Sequence, residues 1–210
     1  MMKTKKIFLT ILLVCFAAGA AADEVNGWEP LHESVFADDM NATRHEVEDL
    51  HCDVDAQSKA GISPLHIAVK TRNLPMVKYL LEHGADVDIQ DGNGYTPLLY
   101  AIAQRRIKIV RTLVLHDADV NLANDAGITP LQQAAYTNDF AIVDFLLRNG
   151  ADPDLLNKNG VNACELAYIK GNFAMAKHLR YFTHGECEVY ANDLNATKTE
   201  SDETHKGAKR

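Results

Sequence analysis

Between residues 61 and 150 the apolar and polar positions fall into one order several times over. PLHIAV at 64–69, PLLYAI at 97–102 and PLQQAA at 130–135 are short, largely apolar runs, each opened by a hydroxyl residue and proline: Ser63 and Pro64, Thr96 and Pro97, Thr129 and Pro130. That pair suits a helix N-cap followed by the N1 position, where a missing amide hydrogen costs nothing. After a polar break, at Thr71 to Asn73 or Thr137 to Asp139, come PMVKYLLEHG at 75–84 and AIVDFLLRNG at 141–150. Val77, Leu80 and Leu81, like Val143, Leu146 and Leu147, recur at i, i+3 and i+4 and predict a second helix with one apolar face. Gly84 and Gly150 stop it at C′, where a left-handed backbone is wanted. ADVDIQDGNG and ADVNLANDAG then predict an extended segment that turns sharply through polar residues.

Gly61, Gly94, Gly127 and Gly160 recur at one constant interval, and Gly27 precedes Gly61 by that interval plus a single position. A fixed period in the range of roughly 20–50 residues implies stacked supersecondary units, because one pair of short helices cannot hide its apolar sides alone. The ends must differ from the middle. Glu33, Asp38, Asp39 and Asn41 make the first unit polar, as a water-facing cap should be; Phe173, Met175, Leu179, Tyr181 and Phe182 leave the last one greasy, which calls for part of the chain after Thr183 to fold back over it. The rest of the tail, NDLNATKTESDETHKGAKR, is polar and aperiodic, and disorder is expected there.

These units resemble ankyrin repeats. SPLHIA at 63–68, TPLLYA at 96–101 and TPLQQA at 129–134 carry the resemblance, with GADVD at 84–88, DADVN at 117–121 and GADPD at 150–154. Weaker matches flank them: WEPLHES at 28–34 with CDVDAQ at 52–57, and VNACELA at 161–167 with NFAMAKHL at 172–179. The resemblance implies an all-α repeat solenoid of about five units, each a helix-turn-helix plus a β-hairpin finger, at about 27–60, 61–93, 94–126, 127–159 and 160–182, with degenerate capping units at both ends. It also implies that His66 and His32 hydrogen-bond within the turn, where Leu99 and Gln132 stand in other units. Asp117 replaces the glycine of Gly84 and Gly150; Ala163 and Cys164 replace the motif's proline and leucine, so the last unit is expected to fray or bend.

The first residues read as an address. A basic start, an unbroken apolar run from Ile7 to Ala20 and small residues up to Ala22 suit a cleaved signal peptide, 1–22, with cleavage after Ala20 or Ala22. The run is shorter than the roughly 18 residues a membrane span needs. A lipid anchor on Cys15 is the alternative, disfavoured by Val14 before it. Cleavage leaves 18 bases against 29 acids. Eleven of those acids, against one base, Arg44, lie between Asp23 and Asp55, which suits either a solvated end or a lure for a basic partner. The overall sign disfavours nucleic acid, despite the local cluster Arg105, Arg106, Lys108 and Arg111.

Three cysteines remain after cleavage, Cys52, Cys164 and Cys187. Cys52 shares a register with Ala85 and Ala118, and Cys164 with Leu65 and Leu98, so both fit as small core fillers. A Cys164–Cys187 bridge pinning the tail is the alternative for that pair and needs an approach within about 7 Å. The spacing of His178, His184 and Cys187 is wrong for a zinc pattern. Asn41 and Asn195 head N-x-T sequons, which matter only in a glycosylating host.

Nothing in the chain carries a HExxH, GxSxG, Walker, GxGxxG or CxxC motif, so neither catalysis nor a cofactor nor a metal is expected. Recognition remains. The resemblance places partner contacts on the finger tips and the exposed side of each first helix: Lys59, Lys70, Thr71, Asn93, Tyr95, Gln104, Asp125, Ile128, Tyr136, Thr137, Lys158, Ile169 and Lys170. Tyr95 and Tyr136 are the favoured anchors, since large rings on a rigid platform dominate interfaces; packing against neighbouring fingers is the plainer reading of both. The expectation is a non-enzymatic, monomeric binding protein exported to the periplasm, off the membrane after cleavage, gripping another protein, one with a basic surface if the acidic end is a lure. An immunity or inhibitor protein against a toxin is a narrower form; an accessory of oxidative-stress or haem enzymes such as catalase, and a secreted effector acting on a host protein, are the alternatives.

Overall fold

The computed structural model describes residues 27–184 and residue 187. The expected leader and most of the tail lie outside the described residues. Among the described residues ten α-helices follow in pairs: α1 (Pro30–Phe36) and α2 (Met40–Arg44), α3 (Pro64–Lys70) and α4 (Leu74–Glu82), α5 (Pro97–Ala103) and α6 (Ile107–Leu115), α7 (Pro130–Tyr136) and α8 (Phe140–Arg148), α9 (Ala163–Ile169) and α10 (Phe173–Leu179). The first helix of each pair is seven residues long, and the second helices of the three middle pairs are nine.

The expected caps form. The hydroxyls of Ser63, Thr96 and Thr129 accept from the amides of His66, Leu99 and Gln132, with proline next in line. Asn73 and Asp139 cap α4 and α8 in the same manner, each accepting from the amide three residues on. Arg106 stands at that position before α6 and supplies no side-chain cap. The left-handed stop also repeats: Gly84 (φ 86°), Asp117 (φ 65°) and Gly150 (φ 87°) end their helices alike.

Each first helix packs on the first helix of the next unit along the whole row, whereas the second helices touch only sparsely. Rows packed unequally on two sides must curve toward the tighter side, so α1, α3, α5, α7 and α9 line the concave flank. Leu31, Leu65, Leu98 and Leu131 sit at one register and are at most 1 % exposed, and Cys164 continues their line. Val77, Leu80, Val110, Leu113, Val143 and Leu146 face them from the second helices.

Two expectations are corrected, and one feature was not foreseen. The fingers are not β-hairpins: no strand forms among the described residues. Single amide bonds join neighbouring finger tips instead, from Gly92 to the Ala60 carbonyl, Asp125 to Asn93 and Lys158 to Ala126 (2.9–3.1 Å), too few to make a ladder. They come close enough that a Cβ on Gly94 would lie 2.6 Å from the Asp125 nitrogen, whereas one on Gly160, beyond which no finger follows among the described residues, would meet nothing within 4 Å. The last unit does not fray at α9, which keeps its seven residues because the Asn162 side chain accepts from the Glu165 amide while the Glu165 carboxylate accepts from the Asn162 amide. Only α10 is short. Finally, α2 runs into a π-helical turn, His45–Asp49. The first unit has one residue more between its left-handed Asp38 and His51 than the second has between Arg72 and Gly84, and a widened turn absorbs such an insertion.

The tail does return to the greasy end. Cys187 is buried and disulfide-bonded to Cys164, their Cα atoms 6.0 Å apart. The His184 amide and ring reach the Asp154 carboxylate. His178 meets Asp144 at 2.7 Å, so His178, His184 and Cys187 each have separate partners. Cys52 is buried at the register of Ala85 and Ala118, but like Cys164 it is disulfide-bonded, so neither is the simple core filler expected.

Candidate functional site

The concave flank is built by a register rule. Phe36, Lys70, Ala103, Tyr136 and Ile169 are the last residues of the five first helices, and because those helices stack unit on unit these side chains form one row down the hollow. Beside it runs the row of C-cap residues, Ala37, Thr71, Gln104, Thr137 and Lys170. A third row holds the left-handed residues Asp38, Arg72, Arg105, Asn138 and Gly171, with φ between 56° and 77°.

Side-chain contacts tie the rows together. The Gln104 amide group donates to the Lys70 carbonyl (3.4 Å), and Arg72 Nε donates to Gln104 Oε1 (3.2 Å). Asn172 Nδ2 donates to the carbonyls of Ala135 and Tyr136. Arg105 pairs with Asp139 at 3.1 Å. The Lys70 ammonium lies 4.9 Å from the centre of the Tyr100 ring, and that of Lys170 lies 4.8 Å from the Tyr136 ring.

The two tyrosines singled out in the sequence part ways. Tyr136, fourth of the five in its row, is 49 % exposed, so its ring is open to a partner. Tyr95 is half-buried against Tyr100, ring centres 5.5 Å apart, which is the plainer packing reading. Tyr100 is held in turn by its hydroxyl, which donates to Asp91 Oδ2 at 2.6 Å. Burial would raise the Asp91 carboxyl, but the Tyr100 hydroxyl and the amides of Asn93 and Tyr95 outweigh it and hold it below the ordinary carboxylate value. Burial and that same bond push the Tyr100 phenol well up, so it stays protonated.

Of the other expected contact residues, Lys59, Lys70, Thr71, Asn93, Asp125, Lys158, Ile169 and Lys170 are exposed, while Gln104, Ile128 and Thr137 are half-buried. Phe36 and Arg72 belong to the same surface and were not singled out in the sequence; both are exposed. Phe36 precedes Lys70 by the same offset that separates Gly27 from Gly61, so the spacing did carry that signal.

The histidines expected to be structural are so. His66 Nδ1 accepts from the Ser63 amide, which leaves its Nε2–H to donate to the Tyr95 carbonyl of the next unit (2.9 Å). His32 does the same between Glu29 and the Ile62 carbonyl. Burial lowers the pKa of both. Gln132 replaces the imidazole and reaches the carbonyls of Leu155 and Val161. Leu99, fully buried, makes no such bond.

On the convex flank a hollow of about 450 Å³ lies between α8 and α10, lined by Asp144, Leu147, Arg148, Ala151, Pro153, His178 and Phe182. Its Asp144–His178 pair faces no serine, threonine or cysteine in that lining, so it offers no nucleophile for the pair to activate.

The family model described as ankyrin repeats (3 copies) matches residues 40–124 and 116–193. Among curated proteins no match is found.

Proposed function

The chain belongs to the ankyrin repeat family, and on that premise we propose that it is a non-enzymatic binding protein that holds a protein partner in the hollow lined by its first helices and finger tips. Such repeats serve as protein–protein interaction modules, and no helix among the described residues is long and apolar enough to cross a membrane. The observation that carries the reading is the row of helix ends. Phe36, Tyr136 and Ile169 are 60 %, 49 % and 59 % exposed in one register. Isolated apolar residues on a surface need no explanation, but aligned ones on a stiff concave wall suit an interface. An array of this length offers roughly 800 Å² to a partner, enough for a specific complex.

The acidic first unit supports a basic partner less well than its charge suggests, because most of its carboxylates are engaged inside the molecule. Asp38 meets Asn73, Asp39 caps α2, Glu46 accepts from the Ser34 hydroxyl, Glu48 from the Tyr79 hydroxyl, and Asp55 from the Asp86 amide. The hollow, rather than the acidic end, is the proposed contact surface, and a toxin-neutralising role would rest on the charge of the first unit alone.

The proposal includes export, on the strength of the basic start, the short apolar run and the small residues up to Ala22. N-terminal sequencing of the mature protein should begin at Ala21 or Asp23; a retained Met1 refutes export by this route. For binding, a photo-crosslinking residue placed at Tyr136 or Thr71 should trap a partner in living cells, while the same residue at Lys78, exposed on α4, should not. Trapping from Lys78 alone would move the interface off the hollow.

A further inference from the structure

We propose that the occupant of the hollow is an acidic polypeptide segment bearing a large apolar side chain, an inference that rests on the concave face being the binding surface. The chain as a whole is acidic, with formal net charge −8, yet among the described residues Lys70, Arg72 and Lys170 on this face form no ion pair, while Arg105 is taken by Asp139. Lys70 and Lys170 are the decisive pair. Each ammonium is held over a tyrosine ring, at 4.9 and 4.8 Å, and among the described residues no carboxylate pairs with either. A ring face positions a cation without cancelling its charge. Arg72 adds to them: its Nε is tied to Gln104, which fixes the guanidinium at the rim while the group stays exposed.

The carboxylates of this same face do not answer those charges. Asp139 pairs with Arg105, Asp38 meets Asn73, Glu165 accepts from the Asn162 amide, and Asp125 stands at a finger tip. Elsewhere the carboxylates Asp55 and Asp88 accept backbone amides of the following unit. Acids of the outer loops are thus satisfied within the molecule, and cations of the hollow are stiffened and left open. A site with cations fixed before binding spends little ordering entropy on a carboxylate, and charge-assisted hydrogen bonds are the stronger kind.

Spacing narrows the ligand. Packed helices lie roughly 8–10 Å apart, so Lys70 and Tyr136, two units apart, are separated by roughly 20 Å. An extended chain covers that in about six residues at roughly 3.3 Å each. The segment should therefore carry a carboxylate for Lys70 and Arg72, then about six residues further along an aromatic or aliphatic side chain against Tyr136 and Ile169, with a second carboxylate near Lys170. Nucleic acid would also bring anions, but a strand with a charge on every residue is repelled by the net charge of −8 more strongly than a segment with two or three carboxylates.

Selection of random 12-residue peptides displayed on phage against the immobilised full chain tests this. Enriched sequences should hold Asp and Glu above the library frequency together with an apolar residue. A synthetic peptide of the enriched sequence should bind at least tenfold more weakly to the Lys70→Glu/Lys170→Glu variant, and to the wild type when salt rises from 50 to 500 mM. Lys70→Gln/Lys170→Gln, which removes the charges without reversing them, should give the same order of loss, and circular dichroism melting shows whether either variant is folded. Enriched peptides with no acidic bias that still lose binding on Tyr136→Ala would overturn the charge inference and leave the hollow as the interface. Acidic peptides indifferent to both the lysine and the tyrosine variants would overturn both readings, as would no enrichment at all. Tighter binding of a labelled 20-nucleotide single strand than of any enriched peptide would overturn the inference in favour of nucleic acid.

Discussion

The two halves of the solenoid join their units with different chemistry. In the first half, His32 and His66 span from one unit to the carbonyl of the next. In the second, Gln132 makes the same span to Val161, and the Cys164–Cys187 disulfide closes the end. An imidazole can do this work only while neutral, because its Nδ1 must accept from an amide and only its Nε2 may carry hydrogen. A glutamine needs no such condition, and a disulfide answers to thiols rather than protons. The unit junctions are therefore sensitive to acid in the first half, where a histidine makes the span, and not in the second, where a glutamine at the equivalent place makes it.

The largest effect should come from opening the disulfide. Cys187→Ser releases a crosslink over 23 residues, worth roughly 3 kcal/mol by loop-closure entropy. Urea unfolding of this variant should shift well below the wild type, and added dithiothreitol should lower the wild type at least as far, since it opens the bond of Cys52 as well. Equal midpoints would show that the last unit is held by packing alone. Next comes His66→Ala, which deletes two buried hydrogen bonds at the junction of the second and third units and should cost about 2 kcal/mol, whereas His66→Gln should recover most of it, as Gln132 does naturally. Thr129→Ala removes a cap that the other units also have and should cost about 1 kcal/mol, measurable in the same titration.

The smallest effect is that of mild acid. His32 and His66 titrate below the usual 6.5 in the folded chain because burial disfavours the cation, opposed in part by their hydrogen bonds and, for His66, by Asp91 nearby. Above pH 6.5 both states hold them neutral and nothing is lost. As pH falls from 6.5 toward the lower folded values the unfolded chain binds more protons and stability drops, levelling off once the folded histidines are protonated too; at about pH 6 the loss is under about 1 kcal/mol per histidine. Hydrogen exchange should loosen α1 and α3 before α7, and His66→Gln should flatten the dependence. Even loosening of all the units would refute the division into halves.

Much of this was legible in the chain before folding. Ser-Pro and Thr-Pro openings and the evenly spaced glycines fix caps, turns and unit borders, because these are local devices whose residue types have few other uses. The π turn after Arg44 was not foreseen, although the extra residue between Gly27 and Gly61 announced an insertion; spacing tells that a residue must be absorbed, not where. The fingers were expected to pair as strands, but pairing depends on how neighbouring tips meet, which no single unit encodes. The same holds for the hollow. Lys70 and Tyr136 could be placed on it from register, while Tyr95 turned into Tyr100 and Phe36 came into line only when the units were stacked.

One row of side chains sets how such a chain can grow. Asp55, Asp88 and Asn121 accept the backbone amide of Asp86, Asp119 and Asp152 in turn, and Asp154 ends the series on the amide of His184, a residue of no unit. Each link therefore has a giving side and a receiving side, like couplings on railway carriages. A duplicated unit inserted anywhere in the train would find a hook behind and an eye ahead, so gene duplication could lengthen this molecule without inventing a new joint, and only the final coupling would have to stay last.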